Sequence, residues 1–219
     1  MAEPLVVGLL GAESTGKTAL ARGLAGQLCD LGLRAAWVPE LLREWCDREG
    51  RTPQRHEQAA IARGQTERIA AAAATHELVL ADTTALMTAV YSRHVFGDDT
   101  LDAMAVQAHR ACQVTLLTGL DLPWEADGLQ RDGPQVREPV DTLLRTLLAD
   151  HGIGYSLVLG RGEARLQSAL EALLAHRPAW RTATPPAATE AHPARWRAWC
   201  ERCGDPACEH RLLATGTAR

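Results

Sequence analysis

The 219-residue chain is 46% hydrophobic, enough to bury a sizeable core, and carries a formal net charge of −4. It has no apolar run of about 18 residues and no basic, cleavable leader, so we expect a cytoplasmic protein with no membrane partner. Residues 1–176 carry a net charge of −7 and residues 177–219 one of +3, which argues against nucleic-acid binding by the main body.

Short apolar runs alternate with helical stretches, an order typical of a parallel sheet with crossover helices. The apolar runs predict strands at 5–10, 35–38, 78–81, 114–117 and 155–159. Apolar spacing predicts helices at 18–31, 41–48, 54–75, 85–94, 101–111, 140–151 and 162–175. We therefore expect an α/β domain of three layers around a central parallel sheet.

Two segments do not fit this alternation. Residues 121–139 are rich in proline, glycine and charge and predict a loop or lid, whereas 181–194 has the Pro/Ala composition of a linker. The predicted organisation is one α/β domain at 1–178, a linker at 179–195 and a short Cys/His module at 196–219.

The first predicted strand runs into a sequence that satisfies GxxxxGK[ST] and then into a helix. Glycines let the backbone turn so that its N–H groups hold phosphate oxygens at the helix N-terminus. Lys17 is expected to reach the β- and γ-phosphates and Thr18 to bind Mg²⁺. The predicted nucleotide-binding residues are Gly11, Ala12, Glu13, Ser14, Thr15, Gly16, Lys17 and Thr18. This motif predicts a P-loop nucleotide-binding fold.

Lys17 is the only lysine among 23 basic residues. A phosphate cradle accepts a compact ammonium on a slim stem, whereas a guanidinium is a broad planar fork. Guanine recognition of the [NT]KxD type needs a second lysine, so the composition favours ATP over GTP.

Asp82 follows the third predicted strand, where a Walker B carboxylate would complete the Mg²⁺ shell. Thr83 follows it, in place of the glutamate with which hydrolysing ATPases activate water, and this favours transfer to a bound acceptor. The alternative is that Asp82 simply caps the next helix.

Glu40 closes the second predicted strand and Arg43 follows one turn later. A carboxylate at this edge can act as a general base or hold an acceptor sugar, with Arg43 as a substrate contact. The alternative is a pair of surface residues in the first turn of a helix.

The segment 121–139 carries Asp121, Trp124, Asp127, Arg131 and Arg137. A closing lid with arginines would place positive charge over the transferring phosphoryl group and exclude water, and Trp124 could stack on a flat ring. A surface loop with a packed tryptophan is the alternative.

Five segments in this order resemble the ribosylnicotinamide kinase domain of NadR-type proteins. They are GAESTGKT, the PE of WVPELLREW, IARGQ, DTTALMTAVYSRHVFG and DLPWEADGLQRDG, and the likeness covers about residues 4–175. The resemblance implies a P-loop kinase fold and ATP-dependent phosphorylation of the 5′-hydroxyl of nicotinamide riboside.

The resemblance also assigns roles by position. Glu40 and Asp82 would flank the acceptor and the metal, and Trp124, Asp127 and Arg131 would belong to the lid or substrate pocket. Two departures from the family pattern are PELLR in place of a PEYAR-like segment and an arginine displaced by one residue in DGLQRDG.

Residues 196–219 contain a CxxCx₄CxH cluster whose spacing could close a tetrahedral Zn²⁺ site. The predicted zinc ligands are Cys200, Cys203, Cys208 and His210. The alternatives are exposed reduced thiols or a redox CxxC pair. Trp196 and Trp199 would give this tail an apolar patch for docking on the main body or on a protein partner.

The sequence thus predicts an ATP- and Mg²⁺-dependent kinase of a small nucleoside, with Lys17, Glu40, Asp82 and Arg131 as its catalytic residues. Two alternatives stay open: an ATP-binding regulatory protein that acts on a partner through its tail, and a kinase of another nucleoside. Oligomeric state and the identity of the base are open as well.

Overall fold

The computed structural model describes residues 3–125, 133–178 and 180. In these ranges a single sheet contains five parallel strands in the order β2-β3-β1-β4-β5. The strands are β1 (Leu5–Leu10), β2 (Ala35–Val38), β3 (Leu78–Asp82), β4 (Val114–Thr118) and β5 (Ser156–Val158). The three central strands are buried at every residue, as expected for apolar runs covered on both faces.

Seven α-helices connect and cover the strands in the described ranges. They are α1 (Lys17–Asp30), α2 (Leu41–Glu49), α3 (Gln58–Ala73), α4 (Ala85–Phe96), α5 (Asp102–His109), α6 (Arg137–Asp150) and α7 (Gly162–His176). Short 3₁₀ turns, Arg55–Glu57 and Pro134–Val136, precede α3 and α6.

The helices form a layer on each face of the sheet. Leu5, Val7 and Leu9 of β1 pack with leucines of α1 and α7 on one face. Val6 and Leu10, which alternate with them, pack towards the other face, where α3, α4 and α6 supply the apolar partners. The prediction of a three-layer α/β domain with a central parallel sheet is confirmed.

The structure corrects two predicted boundaries. The helix predicted at 54–75 is divided into a 3₁₀ turn and α3, and α6 begins at Arg137, three residues before the predicted start at 140. Pro139 is tolerated there because the first turn of a helix does not use its N–H groups within the helix. Arg137 therefore belongs to a helix and not to a loop.

No helix in the described ranges has both the length and the apolarity needed to cross a membrane. The predicted zinc module at 196–219, and the predicted linker at 179–195 apart from Trp180, lie outside the described residues.

Candidate active site

The phosphate-loop sequence connects the carboxyl end of β1 to the first turn of α1. Gly16 precedes α1 with φ 75° and Gly11 has φ 145°, both in the region that favours glycine. A Cβ at Gly11 would also collide with the Thr118 hydroxyl. The two glycines of the motif are therefore required by the path of the backbone.

The Lys17 ammonium lies against the mouth of this loop. Its Nζ donates hydrogen bonds of 2.8 Å to the carbonyl oxygens of both Gly11 and Ala12. The loop and the ammonium thus form one compact unit at the N-terminus of α1, where the helix dipole favours an anion.

Asp82 stands beside this unit at the carboxyl end of β3. The Thr18 hydroxyl donates a 2.5 Å hydrogen bond to Asp82 Oδ2, while Oδ1 has no hydrogen-bond partner in the described part of the chain. Burial raises the pKa of Asp82, against the lowering effects of the Thr18 hydrogen bond and the Lys17 charge. Thr84 caps α4 by accepting from Leu86 N, so Asp82 does not fill the capping role.

Glu40 reaches the same edge of the sheet from the neighbouring strand. Val38 of β2 pairs with Ala81 of β3, so Asp82, the last residue of β3, and Glu40, two residues after β2, lie at the carboxyl ends of adjacent strands. The Glu40 side chain is only 16% exposed, and its Oε2 lies 3.9 Å from Arg43 Nε. Glu40 is thus largely buried, and its position at the edge where ligands of parallel sheets bind fits a functional role.

Gln65 of α3 fixes the geometry between these two strand ends. Its Oε1 accepts from Leu41 N at 2.7 Å, and its Nε2 donates to Thr83 O at 3.4 Å and to Pro39 O at 3.3 Å. Sequence reasoning included Gln65 in the IARGQ segment but gave it no role. Its amide holds the backbone on both sides of Glu40 and immediately after Asp82.

Arg165 of α7 supports the phosphate loop. It is a second residue that sequence reasoning missed. Its side chain is 6% exposed, with Nη2 donating to Thr15 O at 2.8 Å and Nη1 donating to Asp121 Oδ1 at 3.0 Å. Burial would raise the pKa of Asp121, but hydrogen bonds from Arg165 and Gly160 N lower it on balance. The only sequence signal was an arginine next to the apolar face of the predicted last helix.

Residues 121–125 lie directly on the phosphate loop. Trp124 Nε1 donates to Glu13 Oε1 at 2.8 Å, and Glu125 N donates to Ser14 Oγ at 2.7 Å. Ser14 itself has φ 56°, an unusual conformation for a residue other than glycine that is found at functional sites. The indole N–H of Trp124 is thus fixed to the loop.

The sequence matches AAA_28, a family of AAA domains, over residues 6–165. The chain belongs to this family. No curated protein matches it. Its fold is similar to that of NadR protein in two crystal structures. The TM-score is 0.65 for the complex with NR and 0.64 for the complex with NAD and AMP-PNP.

Both comparisons with NadR are at 19% identity and cover 79% and 80% of this chain but 50% of each NadR chain. The AAA_28 chain thus spans about half the length of those proteins. The predicted resemblance to NadR-like P-loop proteins is confirmed: the chain is an AAA_28 domain with the fold of NadR.

Several predicted site residues of the AAA_28 chain fall outside the described ranges. Asp127 and Arg131 lie within 126–132, and the predicted zinc ligands lie beyond residue 180. Across the described ranges, no three His, Cys, Asp or Glu side chains are grouped to hold a metal ion. The structure brings together Lys17, Thr18 and Asp82 at one edge, with Glu40 at the end of the adjacent strand.

Proposed function

We propose that the protein is an ATP-dependent kinase that phosphorylates a hydroxyl group of a small nucleoside, nicotinamide riboside in the first instance. The observation that carries this proposal is the buried Asp82 carboxylate, which is bonded to Thr18 of the phosphate loop and followed by Thr83. This arrangement has an oxygen pair for a divalent cation but lacks the adjacent glutamate that would activate water.

Thr18 and Asp82 fit Mg²⁺, because the cation prefers hydroxyl and carboxylate oxygens and Asp82 Oδ1 has no other partner among the described residues. When bound with ATP, Mg²⁺ would neutralise charge on the β- and γ-phosphates. Lys17 would turn its ammonium from the loop carbonyls to the same phosphates.

Glu40 is proposed as the residue that accepts the proton of the acceptor hydroxyl. Asp82 Oδ2 is already engaged by Thr18, whereas Glu40 lies just after the neighbouring strand, at the start of α2, with Arg43 as a neighbouring charge. As the acceptor oxygen bonds to the γ-phosphorus, the bond from that phosphorus to the bridging oxygen of ADP breaks. The hydroxyl proton passes to Glu40.

The choice of nicotinamide riboside is supported by the order of five NadR-like segments in the sequence and by the shared fold. Trp124, held beside the loop by Glu13, would offer an aromatic surface to a flat base. Of the predicted lid residues, Asp127 is proposed as a substrate contact and Arg131 as a positive charge for the transferring group.

An acceptor panel tests this function. The purified protein is incubated with ATP, Mg²⁺ and nicotinamide riboside, other nucleosides or small alcohols, and the phosphorylated products are separated and quantified. We expect the mononucleotide of nicotinamide riboside to form fastest. Preference for another nucleoside would correct the substrate, and nucleotide binding without any phosphorylated product would favour a regulatory role.

A further inference from the structure

Thr83, the residue after Asp82, has a backbone conformation that threonine rarely adopts. Its φ is 77°, in the left-handed region that glycine enters freely and in which a β-branched residue is strained. Its own backbone groups hold it there, because Thr83 N donates to Leu9 O at 3.1 Å and Thr83 O accepts from Gln65 Nε2 at 3.4 Å. Strain that the surroundings impose in this way is concentrated at functional sites.

The Thr83 side chain makes no hydrogen bond that would explain why threonine occupies this position. The residue is 4% exposed, and its Oγ1 has no hydrogen-bond partner within the residues that the structure describes. The adjacent Asp82 is not its partner, because Asp82 Oδ2 accepts from Thr18 and Oδ1 is also without a partner in those residues. Burying a hydroxyl without a partner is costly, and glycine or valine would avoid that cost.

Neighbouring buried threonines use their hydroxyls within the fold. Thr84 Oγ1 lies 3.0 Å from His109 Nδ1. Thr118 Oγ1 donates to Thr15 Oγ1 at 2.7 Å. Packing and hydrogen bonding inside the domain therefore explain these threonines, whereas Thr83 combines a strained backbone with a hydroxyl that the described residues leave unbonded.

The position of Thr83 in the sheet indicates which ligand its hydroxyl meets. It follows β3, which lies between β1 and β2. The phosphate loop follows β1 on one side, and Glu40 follows β2 on the other, where the Gln65 amide that holds Thr83 O also accepts from Leu41 N. Phosphoryl transfer needs the attacking oxygen between the γ-phosphorus and the group that takes its proton.

We propose that the Thr83 hydroxyl donates a hydrogen bond to the attacking oxygen of the acceptor. One lone pair of that oxygen forms the bond to the γ-phosphorus, a second accepts from Thr83 Oγ1, and its proton passes to Glu40 as the bond from phosphorus to ADP breaks. The fixed backbone holds the donor in one place and so aligns the acceptor. The inference rests on the proposed function, because it adds a contact to the same transfer.

Three substitutions at Thr83 separate the hydroxyl from the strain. Thr83→Val removes the hydroxyl but keeps the branched side chain, Thr83→Ser keeps the hydroxyl, and Thr83→Gly removes both the hydroxyl and the strain. Thr115→Val is the matched control. Thr115 is a buried threonine of the same sheet that pairs with Gly8 in the interior of β1, and its hydroxyl lies 2.8 Å from His109 Nε2.

The measurements are kcat/KM for the acceptor phosphorylated fastest in the panel, equilibrium binding of AMP-PNP, and thermal melting. We expect Thr83→Val to lower kcat/KM about 10-fold or more while AMP-PNP affinity stays within about 2-fold. Thr83→Ser should recover most of this loss. Thr83→Gly should be as impaired as Thr83→Val but melt at least as high as the wild-type protein, because its strain is relieved.

The control should show the opposite behaviour. Thr115→Val removes a hydroxyl that is bonded within the fold, so we expect a lower melting temperature and an unchanged kcat/KM. A loss of activity at Thr83 without a loss of stability, together with the reverse at Thr115, would separate a contact with the acceptor from a structural role.

A second measurement locates the contact at the attacking oxygen. The same acceptor and its deoxy analogue, which lacks the phosphorylated hydroxyl, are titrated into protein loaded with AMP-PNP and Mg²⁺. The wild-type protein should bind the acceptor more tightly than the analogue, and Thr83→Val should reduce this difference. An equal difference in both proteins would overturn the inference.

Wild-type kcat/KM in the folded Thr83→Val variant would also overturn it, as would a loss confined to AMP-PNP affinity, which would place the contact on the nucleotide. Failure of the proposed function gives a different result, in which the wild-type protein forms no phosphorylated product. If that protein still releases ADP, water is the attacking group: slower release by Thr83→Val supports the hydrogen bond, and equal release overturns it. A wild-type protein that releases no ADP would overturn both proposals.

Discussion

The Thr18 hydroxyl donates a 2.5 Å hydrogen bond to Asp82 Oδ2 and so joins the phosphate loop to the end of the neighbouring strand. The two residues are 64 positions apart in the sequence, and β1 and β3 pair in register up to Leu9 and Asp82. The contact brings a hydroxyl and a carboxylate oxygen to one point, where the proposed function needs Mg²⁺.

Replacing the Asp82 charge should abolish most of the activity. Asp82→Asn keeps an oxygen that can accept from Thr18 but removes the negative charge, so we expect kcat to fall by about 100-fold or more. The measurement is kcat over a Mg²⁺ titration. Asp98→Asn is the matched control, because Asp98 is also buried and hydrogen-bonded, but to Arg55 and Thr100. Similar losses of kcat in both variants would contradict a specific role for Asp82.

The Lys17→Arg substitution tests whether shape matters in addition to charge. The loop holds the ammonium within 2.8 Å of two carbonyl oxygens, and a guanidinium is too broad for that position. We expect a folded protein whose turnover is lower by about 100-fold or more. Turnover and ATP affinity are measured beside the thermal melt, and near wild-type turnover would show that any cation suffices.

Much of this site follows from the sequence because its parts are local. The apolar runs of β1, β3 and β4 are buried throughout, and the residues that define the GxxxxGK[ST] loop lie within eight consecutive positions. The start of α6 was placed too late because Pro139, which breaks helix interiors, is allowed in a first turn.

The supporting residues were missed because their contacts are distant in sequence. Arg165 donates to Thr15 O across 150 positions, and Gln65 spans two strand ends through backbone groups that any sequence would provide. The order of side-chain types along the sequence does not predict hydrogen bonds to backbone groups so far away. Only the packing of α7 under the loop and of α3 beside β2 and β3 reveals them.

Arg165 should act on nucleotide affinity through the loop it supports. Arg165→Met removes donors to Thr15 O, Gly160 O and Asp121, so we expect the free energy of unfolding to fall by about 2 kcal/mol and the KM for ATP to rise. Urea unfolding and steady-state kinetics measure the two effects. Arg110→Met is the control, because Arg110 is exposed and donates to His151 O at 3.4 Å. An unchanged KM would limit Arg165 to a role in stability.

His109 should make stability depend on pH. It is buried between the hydroxyls of Thr84 and Thr115, and burial lowers its pKa from 6.5 to about 4. Between these values the unfolded chain takes up a proton that the folded protein does not, so the free energy of unfolding falls as the pH is lowered. The whole difference in the pKa of His109 corresponds to about 3 kcal/mol in the free energy of unfolding.

Urea unfolding of the wild-type protein and of His109→Gln across this pH range measures the effect. Carboxylates titrate equally in both proteins, so the difference between the two curves reports His109 alone. We expect the wild-type protein to lose more stability on acidification than the variant. Parallel curves would show that the imidazole titrates in the folded protein as it does in the unfolded chain.

The predicted zinc site is tested by metal analysis of the full chain. Wild-type protein purified without chelators should retain stoichiometric zinc, and Cys203→Ser should lose it because a tetrahedral site needs all four ligands. Cys29→Ser is the control, since Cys29 is an exposed cysteine outside the cluster. Equal zinc contents in Cys203→Ser and the wild-type protein would exclude the site.

Product stoichiometry tests phosphoryl transfer to nicotinamide riboside. The wild-type protein is incubated with ATP and Mg²⁺, with and without nicotinamide riboside, and ADP, inorganic phosphate and mononucleotide are measured together. We expect ADP formation that depends on the acceptor, with one mononucleotide per ADP and little free phosphate. ADP formation at the same rate without acceptor, matched by free phosphate, would contradict phosphoryl transfer and indicate hydrolysis.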